Sequence, residues 1–242
     1  DDTVNDVLSD SRGFIWVATY KGLDRYDGYH IKHISLNDPR SLCEDAHGNI
    51  WAGTSEGIYR YDTLQDRIEQ IEISAEIHGV QFFRVCAVDD QILVQCGKEF
   101  CAQVDSRTLK VIKMFPAVSS TVSETGSIYY MSSDGYVMEF IDGMPAAQIV
   151  CDKKIDECSN LFKMCCAGRY LFLCMDANLF YVVDLVAKEI VWRRELRVYD
   201  VLMRRNSQVW IASLEGVYIV DADLNEIDWY PSGYKSRFSL PE

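Results

Sequence analysis

Residues 10–28 read Asp10-Ser11-Arg12-Gly13-Phe14-Ile15-Trp16-Val17-Ala18-Thr19-Tyr20-Lys21-Gly22-Leu23-Asp24-Arg25-Tyr26-Asp27-Gly28. They realign on 45–62, Asp45-Ala46-His47-Gly48-Asn49-Ile50-Trp51-Ala52-Gly53-Thr54-Ser55-Glu56-Gly57-Ile58-Tyr59-Arg60-Tyr61-Asp62. A third clear copy is Val209-Trp210-Ile211-Ala212-Ser213-Leu214-Glu215-Gly216-Val217-Tyr218-Ile219-Val220-Asp221, and degenerate copies begin at Ile92, Ile128 and Leu171. Self-similarity at a fixed period decides a fold before any single residue does.

The six copies are spaced by 35 to 43 residues, about 39 on average, which is the length of one four-stranded propeller blade. In the first copy the turn formers Asp10/Gly13, Gly22 and Asp27-Gly28 separate strands expected at Val4–Leu8, Phe14–Thr19, Leu23–Tyr26 and His30–Ile34. No segment carries a sustained helical period. The second strand is apolar on both faces, with Ile15, Val17 and Thr19 pointing one way and Phe14, Trp16 and Ala18 the other. A half-solvated strand alternates, whereas one sandwiched between sheets is apolar throughout. The pattern therefore predicts an all-β chain, a β-propeller of four-stranded antiparallel blades. Six blades are visible, with boundaries near 1–36, 37–75, 76–117, 118–155, 156–197 and 198–242.

The motif residues have structural roles first. Asp10 and Asp45, three positions before a glycine, suit tight turns in which the carboxylate caps backbone N–H groups. Trp16, Trp51 and Trp210 recur at one register and read as packing between blades. His47 falls at a turn tip, and His30 and His33 are expected to share a strand face; no metal or catalytic role is assigned to them.

Composition narrows the function. The 242 residues carry 24 Lys+Arg against 37 Asp+Glu, a formal charge of −13, so phosphate-neutralising nucleic-acid binding is excluded. Apolar residues make up 48%, enough for a sizeable core, and no stretch reaches the roughly 18 apolar residues of a membrane span. Most of the nine Cys lie inside apolar runs and read as free core thiols, too few for a disulfide scaffold and without zinc spacing. There is no Gly-x-Ser-x-Gly elbow, no phosphate-cradling loop and no His-Glu-x-x-His. No catalytic residue, metal ligand or cofactor is expected, and the adjacent acids Asp1-Asp2 and Asp89-Asp90 read as solvated.

The pattern Asp-x-x-Gly-x-Ile-Trp-x-x-Thr-x-x-Gly-Leu/Ile-x-Arg-Tyr-Asp at 10–27 and 45–62 resembles the two-component regulator propeller repeat. Resemblance to that family implies a periplasmic sensor region of a hybrid two-component system of the Bacteroidetes type, in an inner-membrane protein. It also implies a partner set: an oligosaccharide or other small ligand, a second propeller and an immunoglobulin-like domain of the same protein, and a homodimer of the full-length chain. Signal output to polysaccharide-utilisation genes would pass through a histidine kinase outside this chain, which would itself be no enzyme and would touch neither nucleic acid nor membrane. The tail Ser236–Glu242 resembles Asp38–Leu42 and reads as the lead-in to a further blade, so a complete ring of seven is expected. At the join after Leu42 the segment Ser41–Glu44 looks too short for the strand that Thr3–Leu8 supplies, and residues are expected to be missing there.

Ligands of propellers gather over one face, on loops between second and third strands and between blades; concave polar sites are the general rule. The candidates are Tyr20, Lys21, Glu56, Lys98, Asp134, Asn178 and Glu215, a mixture of amide, carboxylate and ammonium with one stacking ring that suits sugar hydroxyls. Two alternatives stand beside this reading. One is a propeller enzyme, a lyase, quinoprotein or glycan-active protein with carboxylates meeting over the channel; the segment Val183–Trp192 is faintly similar to the quinoprotein docking repeat. The other is a protein-interaction scaffold.

Overall fold

A computed structural model describes residues 3–72, 83–140, 148–156, 158–176, 178–204 and 207–232. It is all-β: six four-stranded antiparallel sheets, each with its strands in chain order, the blade repeat of a β-propeller. The first sheet holds β1 (Val4–Ser9), β2 (Ile15–Thr19), β3 (Gly22–Tyr26) and β4 (Ile31–Ile34), and the second β5 (Pro39–Glu44), β6 (Ile50–Thr54), β7 (Ile58–Asp62) and β8 (Arg67–Ile71). The third holds β9 (Phe83–Val88), β10 (Gln91–Cys96), β11 (Phe100–Asp105) and β12 (Val111–Pro116). The fourth holds β13 (Ser119–Val122), β14 (Ile128–Met131), β15 (Val137–Phe140) and β16 (Gln148–Ile149). The fifth is β17 (Leu161–Ala167), β18 (Tyr170–Met175), β19 (Leu179–Asp184) and β20 (Glu189–Glu195). The sixth is β21 (Val198–Met203), β22 (Val209–Ser213), β23 (Gly216–Val220) and β24 (Glu226–Pro231). The chain divides into two compact units, Asp1–Val122 and Ser123–Glu242.

Two aspartate positions and one hydroxyl position explain why the motif makes these sheets. In the β1–β2 turn, Asp10 Oδ1 accepts from the N–H groups of Arg12 (3.0 Å) and Phe14 (2.9 Å), and Gly13 takes a φ of 89°. Asp45 does the same for His47 and Asn49, both at 2.9 Å. Their second oxygens accept the indole N–H of Trp16 (2.9 Å) and Trp51 (2.8 Å), so the aspartate also sets the orientation of the core tryptophan. The hydroxyls of Thr19, Thr54 and Ser213 donate to the carbonyls of Gly22, Gly57 and Gly216 at 3.1, 3.0 and 2.8 Å, closing the next turn. Asp27, Asp62, Asp105, Asp184 and Asp221 each cap two N–H groups of the turn that follows the third strand.

In the first unit, β6 is buried along its whole length: Ile50 and Ala52 pack with Trp16, Ala18 and Leu23 of the first sheet, while Trp51 packs with Val85, Ile92 and Val94 of the third. Trp16 meets Tyr61 edge to face, 5.1 Å between centroids. The expectation of double-sided burial fails at β2, where Ile15 and Val17 are only half-buried, because among the described residues of this unit no sheet covers that face. In the second unit Phe172, Cys174, Phe180 and Val182 of the fifth sheet pack on Val198, Val201, Val209 and Ile211 of the sixth; there too Trp210 and Ala212 are half-buried.

The expected shortage of chain after Leu42 is corrected. β5 starts at Pro39 and pairs with β6 from Pro39↔Thr54 to Glu44↔Ile50, matching β1 on β2 from Val4↔Thr19 to Ser9↔Ile15. The strand is hidden in the sequence because it begins on Pro39, which lacks a ladder N–H, and charged Arg40, so that its start reads as linker. Ser236–Glu242 and Asp1-Asp2 lie outside the described residues.

Candidate functional site

The register places the start of each inner strand beside the turn between the second and third strands. In β1 and β5 that start is bulged: pairing skips a residue between Val4 and Asp6 and between Pro39 and Ser41. A bulge re-aims the extra side chain away from the ladder. Here the extra residues are Asn5 and Arg40.

Both converge on Asp38. This carboxylate is 9% exposed and takes the Arg40 guanidinium through Nε and Nη2, each at 2.7 Å, and Asn5 Nδ2 at 3.4 Å. Asn5 Nδ2 also donates to the Pro39 carbonyl at 2.8 Å. Asp38 itself sits at φ 44°, a left-handed conformation that a non-glycine residue adopts at a modest strain and that concentrates at functional positions. Next to it, Asn37 Nδ2 donates to Glu56 Oε1 at 2.6 Å. On the other side, Tyr20 is tied by its backbone N–H to the Thr3 carbonyl (3.3 Å), two residues before Asn5, and the residue is 62% exposed. Asn5, Asp38 and Arg40 make one hydrogen-bonded group, Asn37 and Glu56 a second beside it, and Tyr20 adds an exposed ring; together they form a polar belt across the first two sheets. It offers both donors and acceptors, with two carboxylates against one guanidinium, an arrangement able to exchange hydrogen bonds with a polyhydroxylated ligand while a ring offers a stacking face.

The inner strands are latched to each other just behind the belt. Asp6 Oδ2 accepts from Leu42 N at 2.8 Å, and Ser41 Oγ exchanges hydrogen bonds with both the N–H and the carbonyl of Val85 at 3.2 Å. The belt therefore stands on a fixed backbone.

All seven residues expected from the sequence are exposed and lie in turns between second and third strands. Glu56 and Tyr20 belong to the belt and Lys21 follows Tyr20 in the same turn; Lys98 lies in the β10–β11 turn of the same unit. Asp134, Asn178 and Glu215 belong to the second unit, where Asn178 takes a left-handed φ of 55° and Glu215 accepts from the Tyr218 hydroxyl at 2.9 Å. Sequence reasoning missed Asn5, Asn37, Asp38 and Arg40. Their signal was the polar run 37–40 ahead of an apolar strand, which needs the bulge to become meaningful.

The histidines are divided differently from expectation. His30 belongs to the β3–β4 turn beside Asp27, whereas His33 lies in β4 with Nδ1 2.8 Å from Asp24 Oδ1, because the strand starts only at Ile31. Arg107 Nε lies 2.9 Å from His47 Nε2, and Asp90 Oδ1 lies 3.5 Å from the same nitrogen. Among the described residues no group of three or more His, Cys, Asp or Glu is arranged to hold a metal ion, and no helix is long and apolar enough to cross a membrane.

Comparison with known proteins gives the following. Residues 33–56 match the family profile described as two component regulator propeller. Among curated proteins none matches the sequence. The extracellular domain of BT4673 from Bacteroides thetaiotaomicron, described as a one component system in one structure and a hybrid two component system in another, superposes with a TM-score of 0.74. At 14% identity, the first of these structures is covered over 98% of this chain and 37% of its own. The extracellular domain of the B. thetaiotaomicron system BT3049, described as a hybrid two component system, gives 0.74 at 14% identity, covering 96% and 35%. PorZ, a surface component of the type-IX secretion system of Porphyromonas gingivalis, gives 0.70 at 9% identity, covering 95% and 33%. The chain spans little more than a third of the length of these structures, and at these identities the likeness shows the β-propeller fold.

Proposed function

We propose that this chain is a ligand-sensing propeller from the extracytoplasmic region of a hybrid two-component signalling protein, and that its ligand is an oligosaccharide. The observation that carries this reading is the belt of Tyr20, Asn5, Asp38, Arg40, Asn37 and Glu56, built on bulged strands and held in place before any ligand arrives. The match of residues 33–56 to the regulator-propeller profile and the likeness to sensor ectodomains support it. Binding would favour one arrangement of a larger assembly over another, and the ligand shifts that equilibrium only by its difference in affinity for the two. The kinase, the control of polysaccharide-utilisation genes, a periplasmic setting beside the inner membrane, a second propeller, an immunoglobulin-like domain and homodimerisation belong to this reading of the whole protein.

The test is isothermal titration of the chain against plant and host oligosaccharides. One glycan class should bind, and Arg40→Ala and Glu56→Gln should each weaken it by about tenfold, the loss of one charge-assisted hydrogen bond, with far-UV circular dichroism unchanged. Binding that is indifferent to both substitutions would remove the belt from the site; binding by no glycan would sink the oligosaccharide reading.

A further inference from the structure

Two bulged outer strands of the second unit frame a cleft between the fifth and sixth sheets. Pairing of β19 with β20 slips between Val182 and Val183, so that Val191 is the extra residue, Val182 faces Trp192 and Phe180 faces Arg194. In the sixth sheet β23 pairs with β24 through Tyr218↔Trp229 and, beyond a second slip, through Val220↔Glu226, with Ile227 as the extra residue. Alternation along the strands then puts Trp192 and Arg194 on the face of Phe180 and Val182, and Trp229 and Glu226 on the face of Tyr218 and Val220. Phe180, Val182 and Val220 are buried where the two sheets meet, with Trp192 and Tyr218 packed against them, so these two faces look at each other. An unbroken ladder would set Ile227 opposite Val220; the bulge sets a carboxylate there instead.

The cleft has Phe180, Ile211, Val220 and Leu224 as its floor, Trp192 and Tyr218 as its walls, and the exposed Arg194 and Glu226 at its mouth. Its inner end has a volume of about 50 Å³, and the whole space out to the mouth about 360 Å³. With about 30 Å³ as the share of one water in the liquid, the inner end admits a short aliphatic group and excludes a ring. Both walls are held in place. The Tyr218 ring stacks on Trp229, 5.9 Å between centroids and 18° between planes, and its hydroxyl donates to Glu215 at 2.9 Å. The Arg194 guanidinium lies over the Trp192 ring at 4.0 Å. A guanidinium stacked on a ring keeps its N–H edge available for a carboxylate. Among the described residues neither Arg194 nor Glu226 is engaged in an ion pair, with each other or with a third group. Opposite charges held apart at the mouth of an apolar slot match a zwitterion that carries an apolar arm.

We propose that this cleft binds a free α-amino acid with a short aliphatic side chain, the Arg194 guanidinium taking its carboxylate, Glu226 its ammonium group and the apolar floor its side chain. The site belongs to the second unit and takes a ligand of another class than the belt of the first, so it does not rest on the oligosaccharide reading.

The experiment is isothermal titration of the chain with L-valine and three analogues: isovalerate, which lacks the ammonium group, isobutylamine, which lacks the carboxylate, and valylglycine, whose carboxylate is displaced by one residue. Valine should bind saturably, and each analogue should bind about tenfold more weakly or worse, the loss of one charge-assisted contact. Arg194→Met should weaken valine about tenfold and leave isobutylamine unchanged, whereas Glu226→Gln should weaken valine to a similar degree and leave isovalerate unchanged. Melting temperatures equal to that of the native chain show that both variants fold, and the analogue series needs no substitution. No binding of valine at millimolar concentration overturns the proposal, as does isovalerate or isobutylamine binding as tightly as valine, or valine binding indifferent to both substitutions. Valylglycine binding as tightly as valine would give the cleft to a peptide N-terminus and overturn the free amino acid.

Discussion

Arg204 occupies the place that Asp10 and Asp45 hold in the first two copies, six residues before the tryptophan. The turn has the same backbone: Arg204 N–H donates to the Gln208 carbonyl at 2.8 Å and Ser207 N–H to the Arg204 carbonyl at 2.9 Å, against 2.9 and 3.0 Å around Asp10. Without a carboxylate the indole N–H of Trp210 is buried and has no acceptor among the described residues, while the Arg204 guanidinium covers the ring from 5.0 Å. Arg204→Asp should restore the missing acceptor. Leaving a buried donor unsatisfied costs about 1–3 kcal/mol, and the cation–π contact given up is worth about 0.5–1 kcal/mol at an exposed site. A net gain of about 1–2 kcal/mol is expected, raising the melting temperature by roughly 2–4 °C per kcal/mol for a chain of this size. Ser207 holds the glycine position at φ 61°, so Ser207→Gly should add about 1 kcal/mol. The assay is urea denaturation followed by tryptophan fluorescence, with hydrogen exchange of the Trp210 indole as the local probe. Arg204→Ala serves as reference, since it removes the cation without supplying the acceptor. If Arg204→Asp is no more stable than Arg204→Ala and the indole proton exchanges as fast, the pairing of turn aspartate and tryptophan is not what orders these turns.

The converse change, Asp45→Ala, removes the acceptor of two backbone N–H groups, the Asn49 amide and the Trp51 indole, and should lose about 2–4 kcal/mol in the same denaturation assay. Gly216→Ala should destabilise by about 3 kcal/mol or more, because the new Cβ falls 2.1 Å from the Tyr230 carbonyl oxygen at a φ of 144°, whereas Gly13→Ala meets open space and should lose only about 1–2 kcal/mol; equal losses would refute the close approach. At Asp184 the Arg169 guanidinium, ahead of the opposing effect of burial, and the Ala187 and Val186 N–H groups hold the carboxyl below its ordinary 3.8. At Asp10 burial pushes upward, but hydrogen bonds from Trp16, Phe14 and Arg12 prevail and the carboxyl is again lowered. A group depressed on folding contributes stability that is complete above the unfolded value and is lost as pH falls through the folded one. Denaturation midpoints should therefore hold from neutrality to about pH 4 and fall below it, less steeply in Asp184→Asn; an unchanged slope in that variant would contradict the assignment.

Periodicity was enough to read the blade, because a strand held between two sheets must be apolar on both faces and its turns must carry residues that cap or invert the backbone. The turn aspartates, their hydrogen bonds to the indoles of Trp16 and Trp51, and the Thr-x-x-Gly turns all act locally, within about ten residues, so one copy of the motif contains most of the explanation of its own turns. The half-buried outer faces of β2 and β22 depend on which sheet lies alongside, and no local pattern reports that. The strand Pro39–Glu44 and the group around Asp38 were hidden for a related reason: a bulge is a relation between two strands, and it alone turns Asn5 and Arg40 from linker residues into a pair converging on one carboxylate. The sequence by itself determined the repeat unit, its turns and the identity of its core residues, since these follow from neighbours along the chain. Only the tertiary structure decided which polar side chains meet, because that depends on pairings between residues more than thirty positions apart, such as Asn5 with Asp38 and Cys165 with Asp200.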